Sequence, residues 1–145
     1  MKYFLTLCIF SAFMSSHLIL AEQDSIAIRS IHFTYMDWEA ETFILMACDI
    51  LLSPLENGQV GRLTIEQDDL FFSRLLHEIK GLHDVKSTNS PDTRIVLKIY
   101  FIDNSVSIVC IGKNNVLFVN GKHMKYSKGL EKLVRSAIPL SYYED

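Results

Sequence analysis

Of the three cysteines in this chain of 145 residues, Cys8 lies in an apolar run at the N-terminus, which leaves Cys48 and Cys110 as the groups whose chemistry is easiest to state. An even pair of thiols in an exported domain predicts one disulfide. Closing a loop of that length would stabilise the fold by about 4 kcal/mol in the chain-entropy view. The competing reading is two buried free thiols, because cysteine packs well in cores. Alkylation with and without reductant separates the two.

Other chemistries have less to work with. Nucleophilic catalysis needs a serine or cysteine beside a base, on a strained turn or helix start. The chain has no Gly-x-Ser-x-Gly, and Ser127 and Ser141 fall at a helix cap and in a tail. A metal site needs clustered histidines and carboxylates. Gly81 ends the helix that carries His77 before His83 is reached, and His32 and His123 stand alone. Glu66, Asp68 and Asp69 sit at a helix start, where the helix dipole accounts for them. The segment Gly58 to Gly61 lacks the lysine and following helix of a phosphate-cradling loop. No catalytic residue, metal ligand or cofactor is assigned. Asp92-Thr93-Arg94 is more suggestive: the acid and the arginine flank the start of a strand and are expected to tie loop to sheet as an ion pair. A ligand role for Arg94 is the alternative.

The elements that position these groups centre on residues 93–126. Asp103-Asn104, Asn114-Asn115 and Asn120-Gly121 are dipeptides that tolerate positive φ and turn short apolar runs into antiparallel hairpins. Two-residue turns predict a register in which Ile102 faces Ser105, Ile99 faces Ile108 and Leu97 faces Cys110. One face then carries Ile95, Leu97, Ile99, Phe101, Val106, Ile108, Cys110, Leu117 and Val119. The other mixes Val96, Ser107, Val109 and Ile111 with Arg94, Lys98, Tyr100, Phe118 and His123. These last five form the candidate protein-binding surface if both helices cover the first face, since tyrosine and arginine are frequent interface anchors. One helix on each face would make them core instead.

Upstream, Ser25 to Tyr35 alternates as a strand with a phase slip near Arg29-Ser30, the signature of a bulge. The apolar run Phe43 to Cys48 fits either a helix from Asp37 that stops before Ser53-Pro54, or a strand over 42–48. The strand is favoured, because it lays Cys48 beside Cys110. Arg62 to Glu66 reads as a short strand. Asp68 or Asp69 caps a helix with an apolar stripe from Leu70 to Leu82, and Gly81 stops it. Ser127 caps a last helix carrying Leu130, Leu133, Val134, Ala137 and Ile138, ended by Pro139. The order β-β-β-α-β-β-β-α predicts an α+β domain, an antiparallel sheet of about five to six strands with two packing helices.

Lys2, the apolar run from Tyr3 and the small residue Ala21 describe a secretory signal peptide over residues 1–21, cleaved before Glu22, with one domain over 22–145. The run is near spanning length, so an uncleaved anchor is the alternative. The formal charge is −3, and cleavage removes Lys2 and no acid. Such a chain offers no field for a nucleic-acid backbone and favours a basic protein partner. Lys113, Lys122, Lys125 and Lys128 read as a solvated edge.

The run Asp92-Thr-Arg, Tyr100, Val109-Cys110, Val119-Asn120-Gly121-Lys122, Ser127 and Leu130 resembles small exported bacterial α+β proteins with a signal peptide and a disulfide, some of them immunity or inhibitor proteins. The likeness covers about the C-terminal third. It implies a periplasmic or secreted, non-catalytic binding protein whose partner is another protein. A membrane-held envelope component and a hydrolase are the competing expectations.

Overall fold

The structure, a computed structural model, describes residues 27–40, 46–52, 60–86 and 92–139. The signal segment expected over 1–21 and the tail from 140 onward lie outside the described residues. In chain order the elements are β1 (Ile28–Met36), α1 (Cys48–Leu52), β2 (Val60–Ile65), α2 (Asp69–Lys80), β3 (Thr93–Phe101), β4 (Val106–Gly112), β5 (Val116–Val119), β6 (Lys122–His123) and α3 (Lys128–Ser136). The strands form one antiparallel sheet in the order β2-β1-β3-β4-β5-β6. The expected α+β class is therefore the class observed.

Asparagine makes the turns. Asn104, Asn114, Asn115 and Asn120 all take positive φ, joined by Gly121 at 77°. Asn120-Gly121 forms the two-residue turn its sequence predicts, with Val119 opposite Lys122. The other two hairpins differ. Phe101 accepts from the Asn104 amide and its own amide donates to the Ser105 carbonyl, so the loop is Ile102-Asp103-Asn104 with Asn104 left-handed. Three-residue loops of this kind shift the pairing by one relative to a two-residue turn. Ile99 consequently faces Ser107, Leu97 faces Val109 and Val96 faces Cys110, which overturns the register expected from the sequence.

A slip of one residue moves every side chain of a strand to the opposite face. Val109 and Ile111 therefore join Ile95, Leu97, Ile99 and Leu117 in the main core, while Ile108 and Cys110 lie with Val96 and Phe118 on the other side. β4 tolerates either phase because it is apolar at consecutive positions, Ile108 to Ile111. The bulge expected in β1 is present, between Ile28 and Ser30.

Both long helices pack on the first face. Asp68 accepts from the Phe71 amide at 2.9 Å and starts α2. Ser127 accepts from the Leu130 amide at 3.1 Å and starts α3. Phe71, Phe72 and Leu75 of α2, with Leu130, Val134 and Ile138 at α3, bury against Ile31, Phe33 and the β3–β4 residues. Leu70, expected in the buried stripe, points outward and is 63% exposed. At the β1–β2 edge, Tyr35 lies over Gly61, where any Cβ would collide with its ring.

The strand favoured over 42–48 is not what forms at its C-terminal end: Cys48 opens the five-residue α1, and Met46 and Ala47 precede it without strand structure. Residues 41–45 lie outside the described residues. The disulfide needed no partner strand. Cys48 reaches Cys110 from a helix lying across the second face, with the Cα atoms 5.9 Å apart.

Candidate functional site

The second face of the sheet divides into two halves with different chemistry. In the half under α1, Leu51 and Met46 pack on Met36, Val96 and Cys110, and the Cys48–Cys110 disulfide anchors the cover. Arg94 belongs here. A bulge between Thr93 and Ile95 re-aims its side chain, so that Nη2 meets Asp92 Oδ2 at 2.8 Å and Nη1 lies 3.5 Å from both Met36 Sδ and the Asp37 carbonyl. The Asp92 carbonyl accepts from the Lys113 amide at 2.9 Å, and a Cβ on Gly112 would sit 2.6 Å from that oxygen. This loop is thus tied to the sheet as Asp92-Thr93-Arg94 suggested. Arg94 is, however, only 1% exposed, which removes it from any exposed binding surface.

A buried ion pair needs its remaining polar atoms satisfied. Asp92 Oδ1, Thr93 Oγ1 and Arg94 Nε have no hydrogen-bond partner among the described residues. The pair therefore specifies how the loop and strand meet more than it contributes net stability.

The other half is open. Cross-strand pairing places His32, Lys98 and Ile108 in one row, and Ser30, Tyr100 and Val106 in the next. Tyr100 is its centre: the His32 ring centroid is 4.7 Å away, Lys98 Nζ lies 5.7 Å from the ring centroid and Arg29 Cζ 5.9 Å from it. Cations at this range are attracted to the ring face. Arg29 is held by Asn104 Oδ1 at 3.1 Å. Farther along, Phe118 and His123 stack at 4.9 Å, and Nδ1 of His123 has no partner among the described residues. Val106 is 42% exposed and Ile102, in the adjoining loop, 65%. Of the five residues predicted for this surface, Lys98, Tyr100, Phe118 and His123 share one side of the sheet, partly exposed, and Arg94 lies under the cover. Sequence reasoning missed Arg29 and His32, which reach the surface from β1. Alternation with buried Ile28 before the bulge turns Arg29 outward, and alternation with Ile31 and Phe33 after it turns His32 outward; together they are the signal that could have found them.

A cleft of about 310 Å³ lies between the end of α2 and the start of α3, lined by His77, Glu78, Leu82, His83, Lys125 and Ser127 among others. It brings His77 and His83 to one place despite their separation by Gly81. Ser127 Oγ donates to Glu78 Oε2 at 3.0 Å, but the same oxygen caps α3, so it is engaged in structure. Nearby, Tyr126 donates to Glu131 at 2.5 Å. Burial, reinforced by that carboxylate, pushes the Tyr126 phenol well above its ordinary 10.0. No group of three or more His, Cys, Asp or Glu positioned to hold a metal ion occurs among the described residues. Among the same residues, no helix is long and apolar enough to cross a membrane.

Comparison of the chain with protein-family models, with curated proteins and with solved structures finds no match.

Proposed function

We propose that this chain is an exported, non-catalytic binding protein that engages another protein through the open half of its second sheet face, in the manner of a periplasmic or secreted immunity or inhibitor protein. One observation carries the reading. The first face is closed by α2 and α3, while beside α1 an aromatic ring flanked by two cations and an imidazole is left at the surface. Rigid sheet residues hold this cluster in place without loop ordering, which lowers the entropy lost on association. Aromatic and arginine side chains in such settings are the common anchors of interfaces. The disulfide supports export, because such bonds persist in oxidising compartments.

The test is affinity capture from envelope extract with the mature chain as bait, beside Tyr100→Ala and an α2 control, Leu70→Ala. Loss of a hot-spot anchor costs at least about 2 kcal/mol, roughly thirtyfold in affinity. A partner retained by the chain and by the control, and lost from Tyr100→Ala, is the expected result. Equal retention by all three baits contradicts the proposed surface, and no retained partner contradicts binding. N-terminal sequencing of the secreted material is expected to begin at Glu22; an intact Met1 in the membrane fraction would instead favour an envelope-anchored component.

A further inference from the structure

From the charges on the open half, we infer that the partner presents an acidic polypeptide surface, the reverse of what the net charge of −3 suggests. The inference rests on the binding reading above and names its chemistry. Following the pairing from β2 to β6, the strands place Arg62, Arg29, Lys98 and the imidazoles of His32 and His123 on the second face; of the acids on that side, Asp92 is buried against Arg94, Asp49 sits on the α1 cover and Glu66 follows the end of the edge strand β2. Arg62, Arg29 and Lys98 form none of the ion pairs found among the described residues. In the β3–β4 loop, Asp103 is turned to Ser105, whose hydroxyl and amide both donate to it; that hydroxyl, then the amide, hold its carboxyl below the ordinary 3.8. Asp84 pairs with Met124, which follows His123 and so alternates to the opposite side of the sheet.

A cluster of cations around Tyr100 on a chain of negative net charge is a local field of the opposite sign, and such patches steer complementary partners while the remainder repels them. Two cations and an imidazole around one tyrosine suit a short acidic segment with an apolar or aromatic residue, which Val106 and Ile108 would receive. They are too few and too localised to track a nucleic-acid backbone, where each neutralised phosphate needs its own cation.

Fluorescence anisotropy with the mature chain tests this, using a labelled random Glu–Tyr copolymer and a Lys–Tyr copolymer of equal length. The Glu–Tyr probe is expected to bind and the Lys–Tyr probe not. Lys98→Glu is expected to weaken binding about tenfold or more, and raised salt to weaken it further. Lys132→Glu, exposed on α3, is expected to leave binding within about twofold, which separates the patch from net charge. Circular dichroism confirms that each variant is folded. Equal binding of the two copolymers, equal losses from both variants, or tighter binding of anionic vesicles or duplex DNA than of the Glu–Tyr probe would overturn the inference. A stable dimer that Lys98→Glu dissociates would also overturn it, by making a second copy the occupant. Should a natural partner be captured by the chain and held undiminished by Lys98→Glu, the acidic surface falls while the binding reading stands.

Discussion

On the first face of the sheet, Leu75 of α2 and Leu130 and Val134 of α3 close over Ile31, Leu97, Ile99 and Ile111, all fully buried. On the second, a five-residue helix covers Met36, Val96 and Cys110 and is anchored by one covalent bond. The first closure is distributed over two amphipathic stripes, each starting at its own cap. The second is concentrated, since a helix of one turn has too little apolar stripe to hold itself down. Concentrating the attachment has a consequence for function. Half of the face is secured with little chain, and the half beside it stays at the surface with its aromatic and basic residues fixed on rigid strands.

The sharpest way to break this contrast is the double substitution Cys48→Ser with Cys110→Ser. Loss of the cross-link is expected to cost about 4 kcal/mol in denaturant unfolding. The local effect should be larger than the global one: hydrogen exchange is expected to rise at Met36 and Val96 while the amides of α2 and α3 stay protected. Uniform exchange across both faces would mean that the cover and the core unfold together. Next in size is Leu97→Ala on the distributed side, at roughly 3 kcal/mol from lost transfer energy and the cavity left behind, with no change in exchange confined to α1.

Tyr126→Phe sharpens the comparison through pH. The folded-state value of the phenol lies above the unfolded one, so the unfolded chain loses its proton first as pH rises. The stability tied to the neutral phenol is therefore complete below about pH 10 and is lost above it. The substitution is expected to cost about 1 kcal/mol at neutral pH and to flatten the alkaline fall in Tm. Smallest of all, Lys98→Ala and Tyr100→Ala are expected to shift stability by no more than about 0.5 kcal/mol. A larger loss in thermal unfolding would show that the open half is structural.

The ease of reading these regions from sequence follows the same division. The helix caps Asp68 and Ser127, the stripe of α3, the bulge of β1 and the Asn120-Gly121 turn each have a local physical cause, and each is found as expected. The phase of β4 has no such cause. Ile108, Val109, Cys110 and Ile111 offer apolar groups to both faces, so only loop length decides it, and Asp103-Asn104 fits two lengths. α1 was hidden for a related reason: an apolar run of that kind carries no period, and the disulfide is compatible with either a strand or a helix. In the candidate site, Tyr100, Lys98, Phe118 and His123 were legible because strand alternation places them together. The burial of Arg94 was not, because it depends on a bulge and on a cover contributed by residues far away in the chain.

Site-specific photocrosslinking in intact cells tests the central claim most directly. A benzophenone side chain replaces Tyr100 in one strain and Lys132 in another. One discrete protein adduct is expected from position 100 and none from position 132. Adducts of the same pattern from both positions, or none from position 100 with the protein present and exported, would contradict that claim.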